Sequence, residues 1–227
     1  MARRKSLAFL DVGQGDCFVA DTKSGAIIFD GGSSSEDQVG RYRILPYMKY
    51  LGYQKIQIAV ISHMDIDHYS GIKELLEMGK IKYLGLPEIP KDETMKKIIG
   101  IAKKRGTTIF YLSRGRQITT KDGSLKVLHP QKNSQMEKNA ASLVMQGKIL
   151  GYRVLLTGDV EKEGEEELLS EELERADILK AAHHGSKNST SNEFLQKVQP
   201  KQTVISCGKQ NRYGHPHLET IHRLQTY

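Results

Sequence analysis

The sequence predicts a layered α/β fold, with β-sheets at the centre and helices outside, on three observations. After a β-rich opening, strand-like and helix-like segments alternate along the chain. Two apolar runs, Ile56 to Ser62 (IQIAVIS) and Ile178 to Ala182, lack the alternation of a half-exposed strand and read as strands covered on both faces. The 227 residues suffice for one large domain with a substantial core, and no internal repeat, low-complexity tract or Pro/Gly-rich linker divides them. The expectation is a single domain over residues 1–227.

The opening strands are expected at Leu7 to Leu10, Cys17 to Ala20 and Ala26 to Phe29, with Ser24-Gly25 turning between the last two. Gly13, Gly15, Gly31 and Gly32 cluster at their ends, where backbone must turn sharply or approach a neighbour closely. The strand Ile56 to Ser62 runs into HMDIDH, and a helix is expected from Tyr69 to Met78. Asp92 to Arg105 predicts a helix: Met95, Ile98, Ile99 and Ala102 fall at helical spacing, Asp92 can cap the start, and Gly106 can end it. Strands follow at Thr108 to Tyr111 and Leu125 to Leu128, then a hairpin of Ser142 to Gln146 with Tyr152 to Thr157, turning at Lys148 to Gly151. After Asp159, EKEGEEELL reads as a helix with a solvated acidic face. Thr190 with Glu193 is a capping-box signature, Val204 to Ser206 a last strand, and Pro216 suits the first turn of a final helix.

Net charge is +7, with basic stretches at Lys96 to Arg105, Arg114 to Lys126 and Lys197 to Arg212. Such a balance raises the odds of a polyanionic partner, although on charge alone a solvated lysine-rich surface is the favoured reading. Cys17 and Cys207 show no metal-ligand spacing and read as reduced, partly buried strand residues. No apolar run approaches the roughly 18 to 20 residues that cross a bilayer, and Asp11 interrupts the first apolar stretch too early for a signal peptide. As written, the chain is expected in the cytoplasm unless it was excised from a larger protein.

Histidine placement carries the chemistry. Six of the eight histidines lie in three tight pairs, His63 with His68, His183 with His184, and His215 with His217; His129 and His222 stand alone and are assigned no role. Within Ser62 to His68, His63, Asp65, Asp67 and His68 put four ligand-type residues at the end of a buried strand. Carboxylates crowded among histidines are hard to desolvate without a cation. Thr157-Gly158-Asp159 ends a second apolar strand, and Ala182-His183-His184-Gly185-Ser186 ends a third. Singly, Gly-Asp is an ordinary turn and a histidine pair is often structural. Three such clusters at three strand ends point to one metal site, because strand-end loops converge in α/β folds.

The order HxDxDH, TGD, HHGS resembles the metallo-β-lactamase superfamily. More narrowly, LDVGQGD (Leu10 to Asp16), FDGG (Phe29 to Gly32), SHMDIDHYSGI (Ser62 to Ile72), NAASLVM (Asn139 to Met145), LLTGD (Leu155 to Asp159), LKAAHHGSKNSTSNEFL (Leu179 to Leu195) and NRYGHPH (Asn211 to His217) resemble the C-terminal metallo-β-lactamase-like domain of the ComEC competence family. The resemblance spans nearly the whole chain. It implies a four-layer αββα sandwich with the site at one edge of two sheets. It also implies one metal on His63, Asp65 and Asp159, and a second on Asp67, His68, Asp159 and either His183 or His184. Where the commoner superfamily pattern has histidine, this chain has Asp65 and Asn139. Oxygen-rich sites suit harder ions, so Mn²⁺ is favoured, with Zn²⁺ or Mg²⁺ as the other options; both changes argue against β-lactamase activity.

The resemblance implies two-metal phosphodiester hydrolysis, and in the competence setting a nuclease degrading one DNA strand during uptake, with single-stranded DNA as partner. Asp67 and His215 are the catalytic candidates. His215 would protonate the leaving oxygen or join the metal shell, and its structural alternative is to cap a helix starting at Pro216. Asn139, Ser186, Lys187 and Arg212 are substrate-binding candidates, while Asp11, Asp16 and Asp30 would support the ligands. As part of a channel protein the chain would have a membrane channel domain as neighbour and be membrane-associated. Two rival functions are hydrolysis of a small phosphodiester or other ester, with little salt sensitivity, and a non-catalytic DNA-binding domain.

Overall fold

The computed structural model describes residues 5–137 and 139–227. The first sheet contains β1 (Ser6–Phe9), β2 (Phe18–Thr22), β3 (Gly25–Phe29), β4 (Ile56–Val60), β5 (Ile81–Pro87) and β6 (Thr108–Leu112), side by side in chain order. β1 to β3 pair antiparallel and β3 to β6 pair parallel. The second sheet contains β7 (Gln117–Thr120), β8 (Gly123–His129), β9 (Val144–Ile149), β10 (Tyr152–Leu156), β11 (Ile178–Lys180) and β12 (Gln202–Val204). There β7 to β10 pair antiparallel and β10 to β12 parallel. Each sheet thus begins as a meander and ends in parallel strands.

Parallel pairing requires crossover connections, and helices supply them. A π-helical turn (Gly40–Ile44) and α1 (Leu45–Tyr50) link β3 to β4; α2 (Ile66–Glu77) and α3 (Glu93–Lys104) link β4, β5 and β6. In the second half α4 (Lys162–Leu169) and α5 (Asn192–Val198) play the same part, and α6 (Leu218–Thr226) follows β12.

Side chains alternate across a strand, so a strand covered on both faces feeds two cores. Ile28 and Ala59 pack with Ile72, Leu75, Met95 and Ile98 beneath α2 and α3. Their neighbours Ile27, Phe29 and Val60 meet Val127, Met145, Val154 and Leu156 between the sheets. Leu155 and Leu179 turn the other way, onto Leu168, Phe194 and Leu195 of α4 and α5. The result is the expected four-layer αββα sandwich.

Several local expectations change. α2 starts at Ile66, so Asp67 and His68 stand on its first turn rather than in a loop before it. The helix after HHGS is capped by Ser191, whose hydroxyl accepts from the Phe194 N–H; Thr190 lies outside it with φ 54°. The reason is Glu165, whose carboxylate accepts both the Thr190 and Ser191 N–H groups and holds that turn open. Glu165 is itself buried, so α4 is not acidic on its solvent side alone. The last strand is Gln202–Val204, because Ser206 leaves the sheet to bond elsewhere, and α6 starts at Leu218 with His217, not His215, at its N-cap. Cys17 and Cys207 are free thiols flanking strands, not within them. The helix at Leu45 and strands β5 and β7 carry no clear periodic signal and emerge only in the structure.

Candidate metal centre

The site lies where the parallel strands of both sheets end. β4 delivers the loop carrying His63 and leads into the α2 turn carrying Asp67 and His68; β10 delivers Asp159; β11 delivers His183 and His184. The two histidines form a 3₁₀ turn with φ 47° and 52°, left-handed values for residues with a Cβ. Such a conformation costs on the order of 1–3 kcal/mol per residue and persists only where surroundings impose it. Here the His183 N–H donates to Gly158 O at 3.2 Å, and the Ala182 N–H donates to the Thr190 hydroxyl at 3.2 Å.

Asp159 is the hub. Its Oδ2 lies 3.1 Å from His68 Nε2 and 3.3 Å from His184 Nε2, and His184 Nε2 is also 3.4 Å from Asp67 Oδ2. Ligand atoms of His63, His68 and Asp159 lie within 4.8 Å of one another, as do those of Asp67, His68 and His184. Asp65 stands at the rim, with Oδ2 3.8 Å from His63 Nε2. His183 is turned outward: Nδ1 is 2.8 Å from Glu161 Oε1, and Nε2 is 3.9 Å from Asp159 Oδ2.

Each inner imidazole is oriented through its other nitrogen. His68 Nδ1 bonds Asp30 Oδ2 at 2.9 Å, and Asp30 Oδ1 accepts the Ser62 N–H. His184 Nδ1 donates to Ser206 O at 2.8 Å, and His63 Nδ1 meets the Ser62 hydroxyl at 3.0 Å. That leaves the Nε2 atoms of His63, His68 and His184 facing the common space; these, and Asp159 Oδ1, are buried without a well-formed hydrogen bond. Buried polar atoms left so are costly, and three imidazole nitrogens beside the carboxylates of Asp65, Asp67 and Asp159 are a donor set that divalent cations satisfy. The residues fit the metal pair.

Electrostatics agree with that fit. Burial, aided by His68, lowers the His63 pKa to about 4. Burial also opposes charge on His68 and His184, but the Asp159 carboxylate, with Asp30 and Asp16 respectively, raises both well above the ordinary range. Asp159 is held well below it by His184 and His68 against its own burial. Protons on two histidines supply the positive charge that the carboxylates demand.

Of the supporting aspartates, Asp16 and Asp30 reach the cluster, whereas Asp11 is exposed and accepts the Gly13 N–H at 3.1 Å. His215 stacks over His184 at 6.2 Å between ring centroids, and burial beside His183 lowers its pKa to about 4. Asn139 and Lys187 line a cleft of about 1150 Å³ on the Glu161 side, and Ser186 is buried at its edge, with its hydroxyl accepting the Asn188 N–H. Arg212 lines a second, smaller cleft. His129, given no role, is buried and bonds Ala140 O at 2.7 Å.

Sequence reasoning missed Lys180, Glu161, Ser206 and Gln14. Lys180 had a signal: a lysine inside a strand read as buried on both faces needs a partner, and its partner is Asp16.

A family model described as "Metallo-beta-lactamase superfamily" matches residues 10–209. ComE operon protein 3 of Bacillus subtilis is 37% identical over 96% of this chain, and competence protein ComA of Neisseria gonorrhoeae is 29% identical over 96%. The chain spans 30% and 29% of those proteins, under a third of their length. Among solved structures, Bacillus subtilis YhfI superposes with a TM-score of 0.63 at 14% identity, covering 97% of this chain and 93% of that one. The short form of human tRNase Z superposes with a TM-score of 0.53 at 14% identity, covering 90% and 92%.

Proposed function

This chain belongs to the metallo-β-lactamase superfamily, and from that premise we propose that it is a two-metal phosphodiester hydrolase acting on DNA. The observation carrying the proposal is Asp159, one carboxylate shared between the His63 side and the Asp67–His68–His184 side of the cluster. On this reading His63, Asp65 and Asp159 hold one ion, and Asp67, His68, His184 and Asp159 hold the other. When bound, the ions supply Lewis acidity toward a phosphate and a hydroxide nucleophile at neutral pH.

The chain's own residues do the rest. Asp30 and Ser206 fix the tautomers and planes of His68 and His184, so that both present Nε2 to the site. Three aspartates against two dications would leave one surplus positive charge, which a bound hydroxide would neutralise, so an anionic phosphate would rely on the basic groups around the site. His215 stands beside the histidine pair, where it would protonate the leaving oxygen; its pKa, lowered to about 4, leaves it neutral near pH 7, so it would give up its ring N–H while its other nitrogen takes a proton from water. The oxygen-rich donor set favours Mn²⁺. The similarity to competence proteins supports DNA as substrate and an uptake setting, and on this reading a channel domain would be the chain's neighbour.

Hydrolysis of single-stranded and duplex DNA with Mn²⁺, Mg²⁺, Zn²⁺ or chelator tests this, comparing the wild type with Asp67→Asn and Asp159→Asn. Metal-dependent cleavage lost in both variants is expected. A folded, metal-loaded wild type that cleaves bis(p-nitrophenyl) phosphate but no DNA would move the chain to small phosphodiesters; cleavage of neither would overturn the reading.

A further inference from the structure

Two clefts lie near the metal centre, and their chemistry is opposite. The larger is lined by five glutamates, Glu137, Glu161, Glu163, Glu165 and Glu193, against Lys162, Lys187 and Arg223. The smaller, about 270 Å³, has no carboxylate among its lining residues, which include Gln14, Ser34, Ser35, Lys209, Arg212 and Tyr213. A polyanion leaving the site is repelled along the first path and attracted along the second.

The smaller cleft contains a donor with no acceptor. Gln14 is 3% exposed; its Oε1 accepts the Gly208 N–H at 2.9 Å, which fixes the other end of the amide as NH₂. That buried Nε2 has no partner. The cleft is linked to the metal centre by side-chain contacts. Gln14 is two residues from Asp16, which touches His184. Tyr213 stacks on His215 at 5.6 Å and 22°, His215 stacks on His184, and the Arg212 guanidinium lies 4.9 Å from the Tyr213 ring centroid. This row of flat groups steps outward from a candidate ligand to the surface, with cations beside it.

We propose that this cleft is the subsite for the nucleotide unit flanking the scissile phosphate of a single strand. Lys209 and Arg212 meet its phosphate, the Gln14 amide donates to a phosphate or base oxygen, and the base lies against the Arg212–Tyr213 stack. The inference rests on the nuclease reading and adds the path of the strand. It also predicts indifference to sequence, because any base offers a π-face.

The test is equilibrium binding of a fluorescein-labelled oligothymidylate to the chelated full chain, which separates binding from cleavage. Tyr213→Ala is expected to weaken binding about tenfold with an unchanged salt slope, since base stacking carries no counterion. Lys209→Ala with Arg212→Ala is expected to lower the slope of log K against log salt by roughly 0.7, the contribution of one neutralised phosphate of a single strand. Tyr213→Phe should bind as the wild type does, and melting temperature and metal content report that each variant is folded. If the wild type binds the oligomer but cleaves no DNA, the nuclease reading fails and the subsite stands. Both cleft variants binding as tightly as the wild type, thymidine monophosphate binding as tightly as the oligomer, or no binding at all would each overturn the subsite.

Discussion

Lys180 and Asp16 form a buried ion pair behind the candidate metal centre, with Nζ 2.5 Å from Asp16 Oδ2, while Asp16 Oδ1 lies 3.5 Å from His184 Nδ1. Burial works against both charges. Lys180 and His184 nonetheless hold the Asp16 pKa down to about 2, and Asp16 and Asp159 raise that of Lys180. A lysine under the site balances carboxylates that would otherwise crowd one side of His184.

Removing one partner should cost more than removing both. Lys180→Met leaves Asp16 buried and unpaired, which costs about 3–5 kcal/mol, whereas Lys180→Met with Asp16→Asn should recover much of that loss. Urea unfolding of the chelated protein measures it. A single-variant loss within about 0.5 kcal/mol, the range of an ordinary surface change, would show the pair to be inert.

The two adjacent histidines should separate cleanly. His184→Ala is expected to lose bound metal, since His184 Nε2 faces Asp67 and Asp159, while His183→Ala retains it with the Glu161 contact gone. Asp30→Asn should weaken affinity about 10–100-fold by releasing the His68 ring. Metal content by mass spectrometry after dialysis decides; equal loss in both histidine variants would place the second site on the pair rather than on His184.

In the chelated protein, His68 and His184 have pKa values raised above the unfolded value of about 6.5, so their stabilisation is complete below that pH and lost as pH rises through the raised values. His63 and His215, both lowered to about 4, add an opposing rise that is complete once the unfolded histidines have lost their protons, so it fades above about pH 6.5 and leaves the fall set by His68 and His184. The melting temperature with chelator should therefore fall from about pH 6.5 upward. Metal affinity should rise over the same range, because ions compete with those protons, and calorimetry in buffers of different ionisation enthalpy should show proton release. Uptake without released protons would mean that the histidines were already neutral.

Gly32 is a packing requirement of the site. A Cβ there would lie 2.6 Å from Asp67 C, His68 N and Ile66 O, the backbone of the first turn of α2. Gly32→Ala should push that turn outward, costing about 1–3 kcal/mol and weakening metal binding with no ligand removed. Normal metal content in a destabilised variant would show that the turn yields without moving Asp67 and His68.

The layered fold was legible because strands covered on both faces write themselves as unbroken apolar runs, and β4 and β11 follow IQIAVIS and ILKAA closely. β5 was hidden by Gly85, which sits mid-strand against the Phe110 ring, and β7 by its short polar sequence QITT. Ligand-type residues could be read from spacing alone, but the roles of His183 and His184 could not. Neighbours in sequence diverge here through two left-handed residues, a conformation that no pattern of side chains announces. Glu165 was misread for a related reason: its partners Thr190 and Ser191 are 25 and 26 residues away and offer only backbone.

The parallel strands of both sheets end at one edge of the sandwich, and their loops contribute different parts of the cluster: His63, Asp67 and His68 from the first sheet, Asp159 and His184 from the second. Ions bound there would rivet two leaves otherwise held by the apolar layer between them. Because such binding stabilises only the closed form, metal supply becomes a control on lifetime. A starved chain would lose that rivet and keep only the apolar layer that holds Phe29 and Met145, so scarcity of the ion would shorten its lifetime.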